Sequence, residues 1–317
     1  MKFADEPDLP FCLKRAVEHQ ASIYNDAVTL HLKEAGDYDF QVSVTTLNKS
    51  PRQNHLFRRH SKDIVQTYWN RLHLLDGSIF HYLLESHPDP KGISEKRFGR
   101  KIKYQGNIIY LHGAADLFYP EDGILIDFKR ASVISRQFPK DDYIFQLNAL
   151  KWILDGQNHT YEVKSLRNIF SYKDWSKREA VKPNYPNRPI ETIEHPIWTT
   201  EKIQSELSSR LKAHFNSKDL SDNDLPYCTP EQQWRRNKHR VIARKKGGEW
   251  SKASKGTYDS IDEAEARQRE VDCETKVETI TGTPIKCRDY CDCALFCNQF
   301  ELEQQQQQQN TGTENED

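Results

Sequence analysis

The sequence predicts an α/β fold in which a central mixed sheet is flanked by helices and followed by a C-terminal lobe. Three observations support this prediction. Short β-prone runs bracket a turn within residues 107–130, an apolar helical segment follows at residues 142–154, and four of the seven cysteines crowd into residues 287–297. A chain of 317 residues is long enough for one large domain or two small ones.

The order of these segments predicts four parts of the chain. Residues 1–40 give weak signals, and residues 41–220 are expected to form the α/β core. Residues 221–300 carry a basic hairpin and the cysteines, and are expected to form the C-terminal lobe. Residues 301–317 contain a glutamine run and an acidic end, and this composition is typical of a disordered tail because it has too little apolar surface to bury.

The core is expected to be organised around a hairpin within residues 113–130. Its turn, Pro120 to Gly123, combines a proline that presets φ with a glycine that tolerates positive φ. Side chains alternate between the two faces of a strand. One face of the second strand, which is predicted to be the core face, carries Ile124, Ile126 and Phe128. The opposite face carries Leu125, Asp127 and Lys129.

Charged residues on this hairpin suggest a metal site. Asp116 on the first strand would lie beside Asp127 on the second, and Lys129 shares a face with Asp127. Hard divalent cations prefer oxygen ligands such as carboxylates. A lysine near them can place a positive charge against a water or a phosphate. A surface hairpin with a salt bridge is the alternative that these residues leave open.

The pattern Gly113-x-x-Asp116 followed by Ile126-Asp127-Phe128-Lys129 resembles the PD-(D/E)XK nuclease superfamily. The nearer resemblance is to the branch that includes the nuclease domains of bacterial recombination helicase–nucleases and the CRISPR adaptation exonucleases, and in particular to phage-encoded members. Matching segments run from about Ser43 to Phe300. The resemblance implies a PD-(D/E)XK core that uses Mg²⁺ or Mn²⁺ to cleave DNA. Asp116 and Asp127 would bind the metal, and Lys129 would assist the attacking water.

The resemblance also implies a histidine and an acid on a helix before the hairpin. Gly77, His81 and Glu85 match the family pattern Gly-x-x-x-His-x-x-x-Glu. The four-residue spacing places His81 and Glu85 on one face of a helix. His81 is implied as a further metal ligand and Glu85 as an acid of the site. Glu95 is a nearby acid that competes for the role of Glu85.

A glutamine after the hairpin completes the set of implied catalytic residues. Gln146 matches the first residue of the family motif Gln-x-x-x-Tyr, which resembles an element that orients the substrate or the lysine. The tyrosine position holds Leu150, whose side chain cannot donate a hydrogen bond. The predicted helix at residues 142–154 therefore carries only half of this motif.

The cysteine-rich end predicts a second metal site. Seven cysteines, an odd number, do not suggest a disulfide framework in a reducing compartment. Four thiolates suit either a [4Fe–4S] cluster or Zn²⁺, and the resemblance favours iron–sulfur. The implied ligands are Cys228, Cys287, Cys291 and Cys297, with Cys273 and Cys293 as reserves. The resembled branch has a cysteine ligand where this chain has Ser50.

A basic run at residues 234–246 is the candidate DNA-binding surface. It is predicted to be a β-hairpin around Gly247 and Gly248. The net charge is −1, so any surface for phosphates must come from local clustering. The candidate contacts are Arg235, Arg236, Lys238, Arg240, Arg244 and Lys245. A solvated charged face is the alternative.

The function that these features predict is that of a Mg²⁺-dependent DNA nuclease, an exonuclease in phage recombination, replication or repair. An endonuclease and an inactive DNA-binding module with the nuclease fold remain alternatives. The sequence has no membrane-length apolar run and begins without a signal-peptide pattern, so a cytoplasmic protein with no membrane partner is expected, in the host cell if phage-encoded. A phage recombination or replication protein and a second copy of the chain remain open as partners.

Overall fold

A computed structural model describes residues 2–4, 9–138, 141–157 and 161–312. The chain divides into two compact units, one made of residues 1–49 and 62–219 and the other of residues 50–61 and 220–317. The first unit contains residues before 41, which the sequence analysis kept apart from the core. Residues 50–61, expected in the core, group instead with the C-terminal unit.

The first unit is built on a six-stranded mixed sheet, as the sequence predicted. Its strands are β2 (Phe40–Ser43), β4 (Ile93–Tyr104), β5 (Asn107–Tyr119), β6 (Ile124–Ala131), β7 (Ser165–Tyr172) and β8 (Ile190–His195). The strand order is β2-β5-β6-β7-β8, and β4 also pairs with β5. The pairs β2–β5 and β6–β7 are parallel, while β4–β5, β5–β6 and β7–β8 are antiparallel. A separate parallel pair joins β1 (Lys2–Phe3) to β3 (Val65–Gln66).

Helices flank this sheet, which confirms the predicted α/β arrangement. The helices of the first unit are α1 (Phe11–Glu34), α2 (Val44–Leu47), α4 (Tyr68–Glu85), α5 (Asp141–Asp155) and α6 (Thr200–Asn216), with short 3₁₀ turns at Val133–Gln137 and Glu179–Val181. Helix α4 runs unbroken through residues 76–78, where the sequence suggested an interruption. A glycine inside a helix costs only about 1 kcal/mol, so Gly77 does not end it.

The prediction of which face of β6 packs on the core was wrong. This strand is covered on both faces, and the main hydrophobic cluster lies on the face opposite to the predicted one. Leu125 is fully buried in the main hydrophobic cluster together with the apolar face of α5. The opposite face meets α4, where the ring centroids of Phe80 and Phe128 are 6.3 Å apart. A strand that pairs in parallel with its neighbour is normally covered by helices on both sides. Asp127 and Lys129 therefore share the face on which the main core lies.

The turn between β5 and β6 depends on Gly123. Its φ is +69°, in the left-handed region that glycine enters without strain. A Cβ at this position would also lie 2.6 Å from the carbonyl oxygen of Glu162, which is closer than real contacts allow. The turn chemistry predicted for residues 120–123 is thus required by the geometry of the hairpin.

The second unit contains the predicted basic hairpin. Its strands are β9 (Lys238–Arg244), β10 (Trp250–Tyr258) and β11 (Thr275–Ile280), which form an antiparallel sheet in the order β10-β9-β11. Its helices are α3 (Pro51–Arg59), α7 (Ile261–Glu270), α8 (Ile285–Asp289) and α9 (Asn298–Gly312), with a 3₁₀ turn at Ala294–Phe296. Strands β9 and β10 meet around Gly247 and Gly248, which confirms the predicted hairpin.

The glutamine-rich segment differs from the predicted disordered tail. Helix α9 extends from Asn298 to Gly312, and only residues 313–317 of the predicted tail lie outside the described residues. Glutamine and glutamate are good helix formers, and residues 298–309 contain neither proline nor glycine. Glu303 also pairs with Arg235 at 2.6 Å. Composition alone therefore underestimated the order of this segment.

None of the helices in the described part of the chain has the length and apolar character that a membrane crossing requires.

Candidate active site

Asp116 lies where the β5–β6 ladder ends. The ladder pairs residues 117–119 with residues 124–126, and just beyond it the Oδ2 atom of Asp116 accepts the backbone N–H of Phe128 at 2.8 Å. The side chain thus satisfies a donor that the ladder does not use. Burial, together with the nearby charge of Asp127, raises the pKa of Asp116 to about 7. A largely buried carboxyl with this pKa is well suited to exchange its proton for a metal ion.

Asp127 is buried and surrounded by hydrogen-bond donors. Lys129 Nζ lies 2.8 Å from its Oδ1 and 2.7 Å from its Oδ2. Gln146 Nε2 donates to Oδ1 at 3.0 Å, and Asn168 Nδ2 donates to Oδ2 at 2.6 Å. The structure thus brings Asp127, Lys129 and Gln146 together, as the sequence analysis expected. Asn168, on β7, was not anticipated.

Lys129 balances the two carboxylates of the site. Burial lowers its pKa, but the charges of Asp127 and Asp116 raise it by more, so that the net pKa lies above the ordinary value. Its Nζ is also 5.1 Å from the ring centroid of Tyr143. Lys129 is therefore a charged, oriented cation that serves as the counterion of Asp127.

Tyr143 was missed because the family motif places a tyrosine after the glutamine rather than before it. The residue at the motif position, Leu150, is buried in the main hydrophobic cluster. Tyr143 precedes Gln146 by three residues on α5, and this spacing puts both side chains on one face of the helix. The helix therefore presents a tyrosine to Lys129 and a glutamine to Asp127, in the reverse order of the motif along the chain.

Three potential ligands converge at Asp116. His81 Nδ1 is 3.1 Å from Glu95 Oε1 and 3.9 Å from Asp116 Oδ2. The three ligand atoms all lie within 4.8 Å of one another. The hydrogen bond to Glu95 raises the pKa of His81 against the opposing effect of burial. In this arrangement Nδ1 carries the hydrogen, so binding a cation through Nδ1 would release a proton.

Glu95, rather than the predicted Glu85, is the acid that joins His81. Glu85 is exposed at the last residue of α4, so the shared helix face does not bring it to the site. Glu95 lies on β4, which pairs with β5, and its φ of +49° is in the left-handed region. Such a backbone costs about 1 kcal/mol or more in a residue other than glycine and is often found at functional sites.

The donor set suits a hard divalent cation. The carboxylates of Asp116 and Glu95 can supply oxygen ligands, and His81 can supply a nitrogen. The Asp127 carboxylate lies outside this group of three but is close enough to interact electrostatically with Asp116 and His81. Mg²⁺ and Mn²⁺ accept such oxygen-rich sets. The Asp127 carboxylate already accepts hydrogen bonds from Lys129, Gln146 and Asn168, so one donor must withdraw before a cation binds there. Lys129, on its flexible stem, is the donor best able to do so.

Replacing Glu95 by glutamine should weaken Mn²⁺ binding, because the variant keeps the size of the side chain and loses its charge. Titration calorimetry without nucleic acid would measure the effect, which we expect to exceed tenfold in dissociation constant. Glu85→Gln is the matched control, since this exposed residue should leave the affinity unchanged. Equal affinities for the two variants would contradict the assignment of Glu95.

The cysteines near the C-terminus lie together in the second unit. The sulfurs of Cys291 and Cys293 are 3.5 Å apart. The hydrogen bond from Cys293 lowers the pKa of Cys291 to about 7, while burial and neighbouring thiolates raise the pKa of Cys287 to about 12. Cys228 and Cys297 are also close enough to interact electrostatically with these thiols. The implied ligands therefore lie within electrostatic range of one another, although Cys228 is remote in sequence.

Ser50 lies beside one of the implied cysteine ligands. Its Oγ lies 3.0 Å from the sulfur of Cys228. The same Oγ accepts the backbone N–H of Gln53 and so caps α3. The residue found where the resembled branch has a cysteine is therefore next to a cysteine supplied from elsewhere in the chain.

The thiol set is chemically suited to a metal, but its sulfurs are not closely clustered. In a tetrahedral zinc site with Zn–S bonds of about 2.3 Å, the sulfurs stand about 3.8 Å apart. Among the side chains that the structure describes, no three cysteine sulfurs lie within 4.8 Å of one another. Binding Zn²⁺ would therefore require some of these sulfurs to move closer together.

The predicted DNA-binding cations are largely engaged in ion pairs within the second unit. Arg235 pairs with Glu303, Lys238 with Asp259, Arg240 with Glu278 and Arg244 with Glu274. Arg235 also donates to the carbonyl oxygen of Gly282 at 2.5 Å. Lys245 is exposed beside the hairpin tip. Arg236 is also exposed, but it is not without a partner. The run is therefore less available to phosphates than its composition suggests.

No protein-family model matches the chain, and no curated protein matches it. Among solved structures, the chain is similar to that in the crystal structure of SSO0001, with 18% sequence identity and a TM-score of 0.43. The match covers 63% of this chain and 84% of that one.

Proposed function

We propose that this chain is a PD-(D/E)XK nuclease that cleaves the phosphodiester bonds of DNA with the help of Mg²⁺ or Mn²⁺. The observation that carries the proposal is the convergence of His81, Glu95 and Asp116, with the paired Asp127 and Lys129 close enough to interact electrostatically with Asp116. This set combines oxygen-rich ligands for a cation with a lysine positioned beside them. The resemblance of the sequence motifs to phage-encoded members of that superfamily supplies the preference for DNA, and it favours an exonuclease in phage recombination, replication or repair.

Each residue has a defined task in this proposal. Asp116, Asp127, Glu95 and His81 would hold the cation, which when bound would lower the pKa of a water and neutralise charge on the scissile phosphate. Lys129 would release one oxygen of Asp127 and hold its positive charge near the attacking water or the phosphate. Gln146 stays on Asp127 Oδ1 and keeps the carboxylate oriented while the lysine moves.

A cleavage assay tests this proposal. Wild-type protein is incubated with end-labelled single-stranded DNA, double-stranded DNA and RNA, with Mg²⁺, with Mn²⁺ and with EDTA. Cleavage of DNA that requires the cation supports the proposal, and stepwise shortening from an end identifies an exonuclease. Intact DNA under all conditions would leave a binding function. Cleavage of RNA alone would show that the substrate class is wrong.

We further propose that Cys228, Cys287, Cys291 and Cys297 hold a structural [4Fe–4S] cluster, with Zn²⁺ as the alternative. Thiolates are the ligands that both groups prefer. Residues 228 and 287 are far apart in sequence, so a shared metal would close a long loop and stabilise the second unit. The metal would therefore act on folding rather than on the phosphate.

Cys291→Ala should lose the bound metal and make the second unit sensitive to protease. The cause is the loss of a ligand whose low pKa makes it the readiest thiolate of the set. Elemental analysis of anaerobically purified protein would find about four irons and four sulfides per chain for the cluster, or about one zinc. Cys12→Ala, at an exposed cysteine outside the implied ligands and their reserves, is the control. Protein with neither metal would defeat this assignment.

A further inference from the structure

Asn168 makes the closest amide contact with Asp127. It is fully buried on β7, directly across the parallel ladder from Asp127 on β6. Its Nδ2 donates to Asp127 Oδ2 at 2.6 Å and to the backbone carbonyl of the same residue at 3.2 Å. On its other side, its Oδ1 lies 2.7 Å from Nε2 of His195, which is buried on β8.

These contacts fix the orientation of both side chains. The two Asp127 oxygens can only accept hydrogen bonds when the carboxylate is ionised, so the amide NH₂ group of Asn168 must face them. The Oδ1 atom of Asn168 then faces His195 and needs a donor. His195 must therefore carry a hydrogen on Nε2, and a buried relay runs from His195 through Asn168 to Asp127.

We propose that Asn168, held by His195, is a positioning residue that sets the orientation of the Asp127 carboxylate for cation binding. This inference rests on the proposed metal-dependent function. Partners behind a metal ligand orient it, and their loss typically costs about 10- to 100-fold in metal affinity. Neither Asn168 nor His195 belongs to the motifs from which the active site was predicted.

The chemistry of an amide suits this role better than a second cation would. An ionised carboxylate offers about four lone-pair positions. Lys129 bridges both oxygens of Asp127 and must leave one of them when a cation arrives. Asn168 is neutral, so it keeps the carboxylate plane fixed without cancelling the negative charge that attracts the cation. Its burial between neighbouring strands leaves the amide little freedom to follow the lysine.

Mn²⁺ binding in the absence of DNA tests the inference, with free Mn²⁺ measured by electron paramagnetic resonance. Asn168→Ala should raise the dissociation constant by about 10- to 100-fold. The matched control is Asn148→Ala, which removes another buried amide that donates to Ile144 O and Pro196 O and accepts from Trp198 N. The control should lower the melting temperature and leave Mn²⁺ affinity unchanged, because none of these three hydrogen bonds of Asn148 involves a proposed metal ligand.

His195 provides a second test should Asn168→Ala fail to fold. His195→Leu removes the donor to Asn168 and should weaken Mn²⁺ binding in the same direction, while His195→Gln retains an amide donor and should restore much of it. Wild-type affinity in both Asn168→Ala and His195→Leu would overturn the positioning role. Absence of Mn²⁺ binding in the wild type would instead overturn the proposed metal-dependent function, and this inference with it.

Discussion

In the proposed nuclease, Asp127→Asn and Lys129→Ala will each lower the rate of DNA cleavage by about 10²- to 10³-fold, the usual cost of removing one electrostatic contributor from an active site. Asp127→Asn keeps the shape of the side chain but removes the charge that pairs with Lys129 and that is proposed to hold the cation. Lys129→Ala removes the positive charge proposed to act on the attacking water or the phosphate. The measurement is single-turnover cleavage of labelled DNA at saturating Mg²⁺.

The ion pair of Lys151 and Asp155 on α5 provides matched controls for both variants. The Lys151 nitrogen and the Asp155 oxygen are 2.5 Å apart. Both residues lie on the helix that carries Gln146, but their ion pair does not involve the candidate site. Lys151→Ala and Asp155→Asn should cleave DNA at the wild-type rate. Cleavage by pure Asp127→Asn at the wild-type rate would show that the site has been misassigned.

Asp116→Asn will make the metal-free protein more stable than the wild type at about pH 8, by roughly a few kcal/mol. The pKa of Asp116 is raised from 3.8 to about 7 in the folded protein, chiefly by burial. The folded state therefore binds a proton that the unfolded state has released, and wild-type stability falls as the pH rises from about 4 to about 7. Asparagine carries no charge and avoids this penalty, and its oxygen can still accept the Phe128 N–H.

Melting curves in EDTA at about pH 5 and about pH 8 would measure this difference. The advantage of Asp116→Asn should be large at the higher pH and small at the lower one. With Mg²⁺ present, the wild type should regain stability in proportion to ligand binding, whereas the variant should not. A stability difference that is independent of pH would argue against a buried, proton-binding Asp116.

The hairpin and its charged residues could be predicted from sequence because they depend on local chemistry. The residues at 120–123 favour a turn by themselves, and the two-residue spacing of Asp127 and Lys129 places both side chains on one face of a strand. Gln146 was predicted through a motif that links it to the hairpin. Glu95, predicted only as the alternative to Glu85, and Asn168, which was not predicted, join the site through strand pairing. The positive φ of Glu95 leaves no mark in the sequence.

Two features depended on interactions between residues remote in the chain. The β6 core face was misjudged because its alternation does not reveal that α4 and α5 cover opposite faces. The ion pairs of the basic run at residues 234–246 were not foreseen because its acidic partners, such as Glu278 and Glu303, follow much later, and the role of this run in DNA binding stays a prediction. The sequence shows where charged residues lie, but which of them form ion pairs depends on which strands and helices meet in the fold.

The most direct test of the central claim is the location of a bound cation. A crystal grown with Mn²⁺ should show an anomalous difference peak within about 2.2 Å of oxygens from Asp116 and Asp127, with His81 or Glu95 completing the set. The peak should vanish in Asp116→Asn. A well-ordered site with no peak at saturating Mn²⁺, or a peak bound only by residues outside this group, would contradict the account.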